Sequence, residues 1–142
     1  MNTITIKVVN KGITFWAPGG LKGKTMKENI IKTKSFELAK EIVLVYQFLS
    51  KEKQEYVLSK QILKSGTSVG ANIAEGAAGE SKRDFNHKIS IAYKEARETD
   101  FWLKLLCETG HLTTEKAEPA LKICDEVLRI LYSILRTSSR NS

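Results

Sequence analysis

The apolar pattern is clearest from Phe85 to Leu106, where Phe85, Ile89, Ala92, Ala96, Thr99, Leu103 and Leu106 recur at alternating steps of four and three. A seam of period 3.5 marks a helix that packs at a shallow, left-handed angle on its neighbours. Ser81 supplies an N-cap, Asp84 follows as a shorter-armed variant of the capping box, and Gly110 closes the helix. The same spacing predicts a first helix over about 35–49, with stripes Phe36/Ala39/Val43/Tyr46 and Leu38/Ile42/Val45/Leu49. A second helix is predicted over about 53–78, ended by Gly79. A fourth, capped by Thr113 or Thr114, tolerates Pro119 near its first turn. It carries Ala117/Leu121/Cys124/Leu128/Leu131/Leu135 beside Ala120/Ile123/Val127/Ile130/Ile134. Short loops between long helices force neighbours to run antiparallel. The expected fold is all-α: an antiparallel, up-down-up-down, left-handed four-helix bundle. The second stripes on the first and fourth helices exceed one seam and predict a homo-oligomer interface.

Residues 1–25 differ in kind. Thr3–Val8 alternates polar and apolar, Asn10-Lys11-Gly12 offers a turn, and Ile13–Trp16 resumes before Ala17-Pro18-Gly19-Gly20 breaks the pattern. Two strands with no sheet to join are marginal in water, so 1–25 reads as a poorly anchored tail or weak hairpin. Met26 opens a lysine-rich, helix-prone stretch and is the expected natural start, with 26–142 forming the bundle.

Composition narrows the class. The 142 residues are 42% apolar and 27% charged, which fits one globular domain and excludes a collagen-like or broadly disordered chain. Two cysteines are too few for a secreted disulfide framework, and no apolar run approaches the ~20 residues of a membrane span. The expected compartment is the cytoplasm. The net charge of +7 is unevenly placed: Lys7, Lys11, Lys22 and Lys24 stand in 1–25 without an acidic residue, leaving the bundle mildly basic.

The second helix breaks the apolar rule. Its best seam reads Leu58, Ile62, Ser65, Val69, Asn72, Gly76, with Gly66, Gly70 and Ala71 beside it. Each glycine costs up to ~1 kcal/mol of helix propensity, a cost offset by close helix–helix approach. Buried polar groups need partners, which a network of Ser65, Ser68, Asn72, Glu75, Glu98 and Thr99 would supply. Such a network serves register and topology better than it serves a ligand.

The segment Gln61–Gly76, with its Ser-x-x-x-Asn-Ile-Ala-Glu-Gly core over 68–76, resembles the signature of proteins encoded in intervening sequences of bacterial 23S rRNA genes. Asp84-Phe85, Ile91-Ala92, Glu98-Thr99, Trp102-Leu103 and the Gly110 turn extend the resemblance over roughly 30–136. Lys64, where an arginine is usual, and Lys94, where glycine is frequent, depart from it. The family includes the accessory variability determinant (Avd) of diversity-generating retroelements. The resemblance implies a four-helix bundle, a homo-oligomer that is a pentamer in the Avd branch, and a basic surface proposed to bind RNA or DNA. It also brings in a reverse transcriptase as a candidate protein partner in the retroelement branch.

Catalytic chemistry has little footing, and no enzyme activity or cofactor is expected. Asp84-x-x-His87 has the spacing of half a di-iron motif, but it sits at a helix start. No glycine-rich phosphate loop follows a strand, and Cys107 and Cys124 read as small residues in or beside the core. Nucleic-acid binding has candidates: Lys60 and Lys64 one turn apart, Lys82, Arg83 and Lys88 at the start of the third helix, and Arg129 and Arg136 near the C-terminus. The competing class is an interaction module that docks another protein. Far-UV circular dichroism is expected to show more than half of the chain as helix, and a smaller fraction would overturn the bundle.

Overall fold

Thr25 and Glu28 start the first helix well before its apolar stripes begin. Thr25 Oγ1 accepts from the Glu28 N–H at 3.3 Å, and the Glu28 carboxylate accepts from the Thr25 N–H at 2.9 Å. This capping box sets α1 at Met26–Lys51 rather than 35–49. In a computed structural model, which describes residues 25–141 and the backbone of 5–9 and 12–16, three further helices follow. They are α2 (Leu58–Ala78), α3 (Lys82–Glu108) and α4 (Thr114–Arg140). Ahead of them, β1 (Thr5–Val9) pairs antiparallel with β2 (Gly12–Trp16), placing Thr5 opposite Trp16 and Val9 opposite Gly12.

The boundaries have local causes. Gln54 adopts a left-handed φ of 53°, which ends the run from α1 and delays α2 beyond the expected residue 53. Glu55 then does the work of an N-cap: its carboxylate accepts from the N–H groups of Val57, Leu58 and Ser59. Ser81 Oγ accepts from the Asp84 N–H at 3.1 Å, but Asp84, one methylene shorter than glutamate, does not return the bond. Gly110, at φ 78°, turns the chain so that His111 and Leu112 both donate to the Leu106 carbonyl. Thr113 caps α4 through the Lys116 N–H, and Pro119 stands in the second turn. Its missing N–H removes the helical donor to the carbonyl of Glu115, a residue exposed to solvent.

Packing explains the doubled stripe of α4 but not that of α1. α1 packs on α2 and α4, and α3 packs on the same two. α1 buries Leu38, Ile42, Val45 and Leu49, whereas Phe36, Ala39, Val43 and Tyr46 stay part-exposed. All seven seam residues of α3 are buried. In α4, Ala117, Cys124 and Leu131 from one stripe are buried together with Ala120, Ile123, Val127 and Ile134 from the other. The second stripe of α4 is therefore core, not an external interface. In α2 the core residue is Ile73, with Asn72 beside it and half-buried, because the seam shortens its step after Val69. Among the described residues, no helix is long and apolar enough to cross a membrane.

Gly66 and Gly70 bring α2 against α1. A Cβ on Gly66 would lie 2.6 Å from both Ile42 γ carbons and 2.9 Å from Ile42 Cβ, whereas one on Gly70 would meet nothing closer than the Ser35 carbonyl at 3.4 Å. Gly66→Ala is expected to cost about 1–3 kcal/mol through overpacking. Gly70→Ala is expected to be neutral or stabilising by up to ~1 kcal/mol through helix propensity. Urea denaturation of the two variants checks the contrast.

Candidate nucleic-acid interface

The polar face of α2 resolves into one buried pair and several local bonds. Ser65 and Thr99, both buried, hold their hydroxyls 2.9 Å apart across the α2–α3 contact. Each hydroxyl also reaches a carbonyl of its own helix, Thr99 that of Glu95 at 2.8 Å and Ser65 that of Ile62 at 3.3 Å. Two protons thus serve three contacts, and two donor arrangements satisfy both groups. The other members of the expected network stay apart. Ser68 Oγ donates to the Lys64 carbonyl and Asn72 Nδ2 to the Ser68 carbonyl, which keeps both within α2. Glu75 is exposed and accepts from Lys88 at 2.7 Å, and Glu98 accepts from Trp102 Nε1 at 3.2 Å. Short polar side chains one turn above a carbonyl satisfy themselves locally, so no cross-helix network is needed.

The basic residues divide by position. Gly76 packs against Phe85 and Lys88, and Lys27 Nζ donates to Ser133 Oγ, so the end of α2 meets the start of α3 and the start of α1 meets the last turns of α4. Lys82, Arg83 and Lys88 accordingly stand near the α2–α3 turn, and Arg136 and Arg140 in the last turns of α4 near Lys27, which the motif reading of the sequence did not offer as a binding candidate. Lys60 and Lys64 lie in the first half of α2, away from that group, and Arg129 lies between the two regions on α4. Lys88 is paired with Glu75, and Arg129 with Asp125 at 3.0 Å. Lys82, Arg83, Lys60, Lys64 and Arg136 are exposed.

A second surface has no counterpart in the sequence reading. Between α3 and α4 an open groove of about 510 Å³ is bounded by Tyr93, Arg97, Phe101, Leu105 and Leu128. Phe101 is 57% exposed and Tyr132 54% exposed. The signal was present: Phe101 is an aromatic residue in the middle of the polar face of its helix. Arg97 lies over the Tyr93 ring at 5.9 Å.

Burial pushes the Cys124 thiol up to about 12, and its S–H donates to the Ala96 carbonyl. Burial, then the Glu108 charge, raises Cys107. Both stay protonated thiols at neutral pH. Among the described residues, no three His, Cys, Asp or Glu side chains are placed to hold a metal ion, and Asp84 and His87 are exposed.

Residues 27–133 match the 23S rRNA-intervening sequence protein family. The chain belongs to that family. No curated protein matches it. A solved structure does, at 48% identity and a TM-score of 0.75, covering 78% of this chain and 99% of its own. It is the 1.70 Å crystal structure of a protein with unknown function from the S23 ribosomal protein family, from Bacteroides thetaiotaomicron. The signature segment of this intervening-sequence protein is thus the part of α2 wedged between α1 and α3. Its glycines and Ser65 serve packing.

The Ser65–Thr99 pair can be weighed by a double-mutant cycle. Thr99→Val is expected to cost about 1–2 kcal/mol, because Ser65 is left with one long bond. Ser65→Ala combined with Thr99→Val is expected to cost less than the sum of the two single changes. Chemical denaturation of all four chains reads the coupling directly.

Proposed function

We propose that this intervening-sequence protein is a non-catalytic homo-oligomer of the cytoplasm that binds RNA or DNA through a basic surface. A pentamer is the assembly that the family resemblance implies. The helices are inferred to alternate up and down in a left-handed bundle. The close pairs Ser35–Gly70, Glu75–Lys88 and Lys27–Ser133 support that order, and the 3.5-residue seam of α3 supports the hand.

The observation that carries the nucleic-acid reading is the asymmetry of charge along the bundle. Lys27, Lys82, Arg83, Lys88, Arg136 and Arg140 stand toward one end and outnumber Glu28, Glu75, Glu80 and Asp84 there, and the sequence of residues 1–25, ahead of α1, adds four lysines and no acidic residue. Toward the other end, Glu52, Glu55, Glu108, Glu115 and Glu118 offset Lys51, Lys53, Lys60 and Lys116. A polyanion is attracted to the first end, and repetition in an oligomer multiplies a modest charge into many phosphate contacts. Readout of base sequence is not part of this proposal, since phosphate contacts alone specify no sequence. A second reading, docking of a protein partner such as a reverse transcriptase, is favoured by the α3–α4 groove, where cations and carboxylates balance around exposed aromatic side chains.

Salt-dependent binding separates the two. Arg83→Glu and Arg136→Glu are each expected to weaken binding to unrelated RNAs alike and to flatten the log–log salt slope by about one. Reversal at Lys60 or Lys64 should change it less. Fluorescence anisotropy on a labelled RNA at several salt concentrations gives both numbers. An unchanged slope in the Arg83 and Arg136 variants overturns the proposal.

A further inference from the structure

Along the outside of the α1–α2 pair an apolar flank is left over by the core. α1 turns Lys34 and Phe48 toward α4, where Lys34 pairs with Glu126 at 3.0 Å and Lys116 lies over the Phe48 ring. A step of about 100° per residue then places Phe36, Val43 and Tyr46 on the opposite flank, beside α2. All three are part-exposed. α2 turns Ser65 and Gly76 toward α3, which places Leu63, Ala71 and Ala74 on the same side as those three. Among the described residues, no carboxylate of α1 or α2 stands on this face. Glu28 bonds to Thr25, Glu37 and Glu41 line the α1–α4 groove, and Glu75 pairs with Lys88 of α3. Exposed Lys40 and Lys60 flank it, Lys40 lying over the Phe36 ring at 5.7 Å.

The adjoining α2–α3 face has the opposite character. It carries Glu95 and Glu98 with part-exposed Ile91 and Trp102, and Trp102 donates to Glu98 at 3.2 Å. The two carboxylates repel: Glu95 is held above its ordinary range first by burial and then by Glu98, against the pull of Lys64. Among the described residues, neither Lys40 nor Glu98 has an ion-pair partner in its own chain. Heights along the bundle follow from the contacts Ile42–Gly66, Ser35–Gly70 and Ser65–Thr99. Counting from them brings Lys40 level with Glu98, and Val43 level with Trp102.

We propose that the α1–α2 face of one copy packs head-to-tail on the α2–α3 face of the next, with Lys40 meeting Glu98, and Val43 and Leu63 receiving Trp102. The occupant is a second copy because one chain carries both halves: cations without carboxylates on one face, carboxylates without a free cation on the next. A polyanion would match Lys40 and Lys60 but leave Val43, Leu63 and Ala71 bare. The two faces share α2 and are adjacent sides of the bundle. Each contact therefore turns the next copy in the same sense, and a ring of about four or five copies closes with α2 on its inside. Rotation about an axis parallel to the bundle keeps every residue at its own height, so the level pairs above are the ones that meet. Lys94, a turn from Glu98, comes level with Phe36, and Lys32 with the Glu75–Lys88 pair. Lys64, on the α2 corner, faces the opening, where water and salt screen its repeats. The apolar stripe of α1 that the core leaves over is thereby covered. The inference rests on the self-association part of the proposed function, which it deepens, and does not depend on the nucleic-acid part.

A head-to-tail contact joins two different positions, so cysteines must be placed in pairs. In a Cys107→Ser background, Lys40→Cys with Glu98→Cys is expected to give a ladder of disulfide-linked chains on mild oxidation, ending at the closed ring. Either cysteine alone is expected to stay uncross-linked, and efficient dimers from one of them would show a two-fold contact and overturn the proposal. Both residues are exposed on helices at opposite corners of the bundle, so the pair does not close within one chain. Lys40→Glu is expected to raise the dissociation constant of the contact about tenfold, and adding Glu98→Lys to restore it. Val43→Asp is expected to give a monomer in sedimentation with unchanged helix by circular dichroism. If the wild-type chain is an oligomer that Val43→Asp and Lys40→Glu leave intact, this contact is overturned and self-association stands. If Lys40→Glu weakens RNA binding and leaves sedimentation unchanged, the face is a polyanion site and the contact is likewise overturned. A wild-type monomer overturns both this contact and self-association.

Discussion

Ile42 fills the space where a Cβ on Gly66 would stand, and the rest of the bundle is arranged around that contact. A helix whose inner face offers only a hydrogen at that point lets α1 approach closely, and Gly70 repeats the concession one turn on at Ser35. α2 is thus fixed on one side by backbone proximity. On its other side the Ser65–Thr99 hydroxyl pair and the Gly76–Phe85 contact fix it to α3. A buried polar pair in an otherwise apolar interface adds direction to non-directional packing, since a slip of one turn would leave both hydroxyls without each other. With α2 held on both sides, α4 closes the bundle by laying a broad apolar arc against α1 and α3.

That closure decides which surfaces remain for partners. α4 buries most of both its stripes, whereas α1 buries Leu38, Ile42, Val45 and Leu49 and leaves Phe36, Ala39, Val43 and Tyr46 part-exposed beside Leu44, which is 57% exposed. The exposed aromatic side chains Phe101 and Tyr132 border the seam between α3 and α4. Charge follows the same logic. Lys27 reaches Ser133, so the start of α1 and the last turns of α4 bring together cations distant in sequence. Lys60 and Lys64 are tied to the first half of α2 and cannot join them. An aromatic, charge-balanced face and a basic end are different kinds of surface, and one chain can present both.

Much of this was legible in the residue pattern. The α3 seam, the Gly110 turn, the Thr113 cap and the place of Cys124 follow from spacing and local chemistry, because a long amphipathic helix leaves little choice of inward face. The family was legible from the Gln61–Gly76 segment for a related reason: small residues at fixed positions are what the close α1–α2 contact demands. The start of α1 was less visible. Its signal is the pair Thr25 and Glu28, ahead of a stretch in which Ile31 is the first buried residue, so periodicity does not reach back that far. The delay of α2 rests on one left-handed residue, Gln54, a conformation that glutamine does not advertise.

The sequence by itself determined four helices, their inward faces and the membership of the family, since these depend on spacing within one helix and on small residues at fixed steps. The tertiary structure alone decided that Asn72 yields the core to Ile73, that the second stripe of α4 is interior, and that Glu75 and Glu98 bond outside any shared network. It also decided which cations share an end and which aromatic ring stands exposed. Such outcomes depend on how many neighbours each helix has and on the few ångströms separating facing side chains, and periodicity along a single helix encodes neither.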